Sequence, residues 1–170
     1  MQNAANIIIL IIYFKTNLSL MPLVYFVVLL VFTEALKDRP KVAFNAYTTT
    51  SGSYPKDKVI IFPNVLLNEG DGYNKDTGVF TAPVSGLYYF QAHVCQWPTV
   101  YITVSIVHDH HQLATTTIHE SDTSSCGSVS APVLVNVGEN DFIMSTYANS
   151  KLQAGELRRW PSFSGFLVHD

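Results

Sequence analysis

Charge is scarce in this chain. Only 14% of its 170 residues are charged, 10 Lys and Arg against 13 Asp and Glu, and the cations form no stripe. That argues against nucleic acid as a partner, because phosphate binding needs grouped cations. Gly-X-Y tracts, heptad segments, internal repeats and amphipathic helical patterns are all missing from the body after Pro40. So are the G-x-S-x-G elbow, the H-E-x-x-H helix, the P-loop and the Gly-rich dinucleotide turn. The expectation is therefore a binding protein and not an enzyme. The glycosylation sequon Asn17-Leu18-Ser19 has no counterpart further along. Cysteine is limited to Cys95 and Cys126, a count that leaves two thiols or one bridge open.

What is plentiful is apolar side chain, 48% of the whole. Residues 7–14 (IIILIIYF) and 20–32 (LMPLVYFVVLLVF) concentrate part of it, with Lys15, Thr16, Asn17 and Ser19 between them. Neither run reaches the roughly 20 residues of a membrane-spanning helix. The second has the length of a signal-peptide core and is followed by the small-x-small site Thr33-Glu34-Ala35. Residues 1–35 are accordingly read as a signal peptide or hydrophobic leader, with 36–40 as a short linker and 41–170 as one globular domain. Met21 begins a tidier leader by itself. Joining both runs into a signal anchor is the alternative, opposed by about 2.5–3.5 kcal/mol for each charge at bilayer depth. Secretion would place the cysteines in an oxidising compartment.

Beyond Pro40 the pattern becomes alternation. Tyr88, Phe90, Ala92 and Val94 share one face of a segment whose other face carries Tyr89, Gln91, His93 and Cys95. Ile102, Val104 and Ile106 alternate with Tyr101, Thr103 and Ser105, and Val129, Ala131, Val133, Val135 and Val137 are in phase. A period of two in β-branched and aromatic residues marks half-buried strands. Turn signals at Ser51-Gly52-Ser53, Asn68-Glu69-Gly70-Asp71-Gly72, Ser85-Gly86, Gly138-Glu139-Asn140 and Ala154-Gly155 suit a sandwich or barrel.

Residues 72–90, GYNKDTGVFTAPVSGLYYF, resemble the signature of the C1q domain. Val42-Ala43-Phe44-Asn45-Ala46 is similar to that family's first strand and Ile61-Phe62-Pro63-Asn64-Val65 to its next segment. Val137-Gly138-Glu139-Asn140 is similar to its Gly-Asp/Glu turn, and residues 162–167, SFSGFL, to its closing strand. The landmarks come in the family's order. The resemblance implies an all-β, ten-strand jelly-roll β-sandwich of the C1q/tumour necrosis factor type that assembles as a homotrimer. Its signature residues are Phe44, Phe62, Tyr73, Gly78, Phe80, Pro83, Gly86, Tyr88, Phe90, Phe163, Gly165 and Phe166. Gly78 and Gly86 are expected at tight turns, Pro83 between strands, and the aromatics in the core or a subunit contact. Asp141 departs from the family's usual valine, and the strand is expected to begin one residue later, at Phe142.

In the family's topology the strand ending at Cys95 lies beside the one starting near Ser128. A Cys95–Cys126 bridge follows, worth roughly 3–4 kcal/mol for a loop of about 30 residues; two free thiols are the alternative. Glu120 and Asp122 fall in the loop region from which some C1q-type trimers hold calcium. Arg158, Arg159 and Trp160 have the chemistry of a binding hot spot for carboxylates. His108-Asp109-His110-His111 has metal-ligand residue types, yet neighbours on a turn diverge and no further ligand is evident, so a solvated, pH-sensitive turn is expected. The function implied is lectin-like recognition of glycans or microbial surfaces in innate immunity. The alternatives are a receptor-binding signalling or organiser ligand and a structural extracellular trimer.

Overall fold

The computed structural model describes residues 40–155 and 161–170, together with Tyr25 and Val28. The expected leader and linker, apart from Tyr25, Val28 and Pro40, lie outside the described residues, as do Arg158, Arg159 and Trp160. The chain separates into units Met1–Arg39 and Pro40–Asp170. In the second, strand segments follow in the order β1 (Ala43–Tyr47), β2 (Gly52–Tyr54), β3 (Lys58–Val59), β4 (Asn64–Glu69), β5 (Tyr73–Asn74), β6 (Val79–Thr81), β7 (Gly86–Cys95), β8 (Ile102–His108), β9 (His111–Ile118), β10 (Cys126–Val135), β11 (Asn140–Ser145), β12 (Ser150–Leu152) and β13 (Ser162–His169). The excess over ten consists of short pieces such as β3 and β12.

One sheet has the order β10-β7-β13-β1-β4 and the other β5-β6-β11-β8-β9, with β3 on β11 and a separate β12-β2 ribbon. Pairing is antiparallel throughout the described strands. Neighbours in the first sheet, such as β7 and β13, are far apart in sequence, which is the crossover pattern of a jelly roll. Side-chain parity sorts each strand between core and surface. Tyr88, Phe90, Ala92 and Val94 of β7 join Ile102, Val104 and Ile106 of β8 and Ile143 of β11 in one buried cluster. Each fully buried large side chain of this kind contributes about 1.5–3 kcal/mol.

Aromatic rings dominate the middle of that cluster. Phe44 stacks on Tyr73 at 4.9 Å and on Phe80 at 5.1 Å, and meets Phe163 edge-on at 4.8 Å. Gly165 makes room for this. It sits between Phe44 of β1 and Phe90 of β7 in register, and a Cβ there would lie 2.4 Å from the Phe90 ring and 2.7 Å from that of Phe44. Tyr73 anchors the segment before β4: its hydroxyl donates to the Phe62 carbonyl at 3.1 Å and accepts the Phe62 N–H at 3.3 Å. Asn68 clasps the Tyr73 backbone with two bonds of 3.0 Å, closing the loop that carries Gly70 and Gly72. The ordered motif thus has a mechanical origin.

Several expectations need correction. Gly78 does adopt positive φ (77°), but Gly86 does not: it opens β7, and a Cβ there would meet the His169 carbonyl at 2.5 Å. Close approach, not turn geometry, selects it. Phe166 is no core residue; it follows the inward Gly165, so parity turns it outward, 48% exposed, against Tyr89. Val137 is exposed because β10 ends at Val135. Ser105 is buried on the outer side of β8, hydrogen-bonded to Thr115 at 2.7 Å. Asp141 lies within β11, fully buried, so the strand does not start at Phe142. Pro83 occupies the β6–β7 connection as expected.

This core generates two tests. Gly165→Ala forces two rings apart and should lower stability by about 1–3 kcal/mol, read as a lower urea midpoint at unchanged slope. Burial pushes the Tyr73 hydroxyl up to about 12, against a smaller lowering by its Phe62 bond. Its contribution is then complete below the ordinary tyrosine value near 10 and is lost as pH rises through about 12, a swing of roughly 2–3 kcal/mol. Tyr73→Phe should therefore show a shallower loss of melting temperature between about pH 10 and 12.

Candidate functional site

Cys95 closes β7 and is disulfide-bonded to Cys126, its register partner at the start of β10, with Cα atoms 4.0 Å apart. The pairing implied by the family's topology is present, and no free thiol exists. The next residue, Gln96, is fully buried. Its Nε2 donates to the carbonyls of Glu120 (3.3 Å) and Thr123 (3.1 Å), and its backbone N–H donates to the Ser125 carbonyl at 2.9 Å. Bridge and amide together pin the segment between β9 and β10 to the end of β7.

From that anchor the chain turns outward. Trp97 is 43% exposed, and Thr99 holds φ 69°, a left-handed conformation that costs a β-branched residue on the order of 1–3 kcal/mol. The Thr99 N–H donates to the Glu120 carbonyl at 2.9 Å and the Val100 N–H to the Trp97 carbonyl at 3.2 Å, which hold the turn. Between this turn and the β2–β12 ribbon runs an open groove of about 560 Å³ lined by Ser51, Ser53, Trp97, Thr99 and Lys151 among others. Beside it, exposed Tyr101 stacks on His119 at 4.0 Å and lies 5.7 Å from Tyr147. The Lys151 N–H donates to the Tyr101 carbonyl at 3.3 Å and ties that aromatic group to the groove wall. An aromatic face, several hydroxyls and one ammonium in a concave surface can stack an apolar ring face, bond hydroxyl groups and neutralise an acid. Nothing in the alternation pattern marked Trp97, which lies just past β7, or Lys151, which sits in the three-residue strand β12, too short to show a period.

Glu120 and Asp122 are exposed, and Glu120 acts in the fold through its carbonyl. Neither belongs to the close groupings of His, Cys and acidic ligand atoms among the described residues. Arg158, Arg159 and Trp160 lie outside the described residues. The chain leading to them leaves Ala154, which exchanges two hydrogen bonds with Ser51 of the groove (2.9 and 3.3 Å).

At the far end of β8 the expected solvated turn is a knot of polar groups. His108 Nδ1 lies 3.2 Å from Asp141 Oδ1, and His108 Nε2 lies 3.3 Å from Glu139 Oε2. Burial pushes the Asp141 carboxyl up to about 7; His108 opposes the rise, and Asp109 and Glu139 add to it. Hydrogen bonds from Asn136 hold Glu139 below its usual range. The divergence expected along the turn holds for His110 and His111, both exposed, but not for His108 and Asp109.

The first sheet presents a further surface. Across it, Phe166 lies opposite Tyr89 and Ala43, Tyr89 opposite Pro132, and Leu87 opposite Leu134. Phe166 and Leu134 are 48% and 73% exposed, so one end of this outer face is an apolar band.

Two antiparallel sheets with jelly-roll crossovers define a small all-β sandwich domain. Residues 43–168 match the C1q domain family, and the chain belongs to that family. It is similar to one of the polypeptides of the human complement C1q subcomponent, 30% identical over 133 residues, covering 78% of this chain and 52% of that protein. It is also similar to the heavy metal-binding protein HIP of Mytilus edulis, 27% identical over 130 residues, covering 75% of this chain and 61% of that one. The chain thus spans about half to three-fifths of these relatives' length. Among solved structures, the globular domain of zebrafish complement 1qA aligns with TM-score 0.64 at 20% identity, over 76% of this chain and 98% of that one. Eiger TNF from S. frugiperda aligns at 0.61 and 10%, over 78% and 95%. These likenesses bear out the C1q/tumour necrosis factor jelly roll.

Proposed function

We propose that this chain is a secreted, non-enzymatic recognition protein that binds acidic glycans of microbial surfaces through the Trp97–Lys151 groove, in innate immunity, as a homotrimer. The observation that carries it is Trp97 itself. A large exposed ring, lifted by a strained turn anchored on a disulfide and on buried Gln96, shares a groove with hydroxyls and an ammonium. Sugars offer an apolar ring face and a rim of hydroxyls, and acidic sugars add a carboxylate for Lys151. Arg158, Arg159 and Trp160 follow shortly after Ala154 in the chain and would extend the same recognition chemistry. The disulfide supports passage through an oxidising compartment. Calcium at Glu120 and Asp122 would need carboxylates from several copies, since one chain offers only exposed groups there.

Binding to a glycan array should fall at least about tenfold in Trp97→Ala and in Lys151→Ala, each with an unchanged melting temperature. Binding that survives both changes, or exclusive binding to a single membrane protein, would favour the receptor-ligand reading. Running the array with and without calcium separates the Glu120/Asp122 proposal from the groove.

The homotrimer rests on the apolar band around Tyr89, Phe166, Pro132 and Leu134, and copies of one chain would multiply weak groove contacts by avidity. Phe166→Glu combined with Leu134→Glu should convert a three-chain mass by light scattering to that of a single chain. A trimer that survives both charges places the contact elsewhere.

A further inference from the structure

The polar knot at the β8–β9 and β10–β11 turns sits at the opposite end of the sandwich from the groove, about 20 Å away along the seven residues of β8. One nitrogen and two carboxylates converge there: ligand atoms of His108, Asp109 and Glu139 all lie within 4.8 Å of one another. Each is held in place. Glu139 accepts the Asn136 N–H at 2.7 Å and its Nδ2–H at 2.9 Å. Asp109 accepts the Asn140 N–H at 3.0 Å. His108 is fixed by Asp141.

Asp141 is the independent sign that something charged belongs here. Its side chain is completely buried, one oxygen against His108 Nδ1 and the other, Oδ2, without a partner. A buried carboxylate with one neutral hydrogen bond is costly unless a cation is close. When Nδ1 donates to Asp141, the lone pair of Nε2 points at Glu139 Oε2 across 3.3 Å. Two acceptors at that distance repel unless a proton or a metal ion lies between them. A carboxylate holding the far nitrogen of a histidine, with the near nitrogen free, is the arrangement that orients and strengthens metal-binding imidazoles.

We infer that His108, Asp109 and Glu139 form a binding site for a divalent transition cation such as zinc, with Asp141 orienting His108. The mixed nitrogen and oxygen donors favour such an ion over calcium, which takes oxygen alone. His108 and Glu139 are partly exposed, leaving a path for the ion and a position for water. The two turns meet here only because β8 and β11 pair with His108 opposite Asp141. An occupied site would therefore clamp two hairpin ends together.

Zinc chloride titrated calorimetrically into the chelator-stripped full chain tests this. One zinc per chain is expected, unaffected by excess calcium. Affinity should fall at least about tenfold in Glu139→Gln and His108→Ala, and about 10–100-fold in Asp141→Asn. The double change His110→Ala with His111→Ala should leave it within about twofold. Because Glu139 lies in a surface turn, its variant keeps the test meaningful should the buried Asp141 change unfold the domain, which circular dichroism would reveal. The inference is overturned by absence of zinc binding, by full affinity in Glu139→Gln, by displacement with calcium, or by loss only in the His110/His111 double change. Absence of binding would mean a proton alone between His108 and Glu139, and the last outcome would mean adventitious surface histidines.

Discussion

A missing side chain governs the centre of this sandwich. Phe44, Gly165 and Phe90 lie opposite one another on β1, β13 and β7, and only a bare Cα in the middle lets the two rings close over it. The rings then meet Tyr73 of β5 and Phe80 of β6 in the facing sheet, and Phe163 of β13, two residues before Gly165. Aromatic contacts of this kind add about 0.5–1.5 kcal/mol each beyond their buried area. Because side chains alternate along a strand, fixing Gly165 inward also fixes Phe166 outward and sets the apolar band on the outer face.

The two polar features occupy opposite ends of the same frame, where alternation stops and turns begin. At one end a disulfide and a buried amide hold a strained turn that lifts Trp97 beside Lys151. At the other, the register of β8 on β11 places a buried carboxylate against a histidine. Strand pairing fixes His108 against Asp141, whereas the disulfide, the Gln96 amide and the turn hydrogen bonds hold Trp97 in place. Rigid placement matters for weak polar binding, because little ordering is left to oppose association.

Much of the scaffold was legible because it depends on local rules. Period-two alternation located β7, β8 and β10, and turn residues bracketed them. The resemblance carried by residues 72–90 supplied strand order and, through it, the Cys95–Cys126 pairing. Exceptions came where a distant strand decided the outcome. Gly86 is needed for the His169 carbonyl, Ser105 is buried by bonding across to β9, and Asp141 stays inside because His108 faces it. These partners come from other strands, so no local pattern announces them.

By itself the amino-acid order determined the all-β class, the apolar stripe of each strand and the membership of the chain in its family, since these follow from short-range periodicity and contiguous motifs. Only the tertiary structure decided which polar residues meet. Trp97 with Lys151, and His108 and Asp109 with Glu139 and Asp141, are separated by 30 to 54 positions; the first pair meets across the groove beside the β2–β12 ribbon, the second group through the register of β8 on β11. Register is set by the summed packing of both sheets, a property no single segment carries.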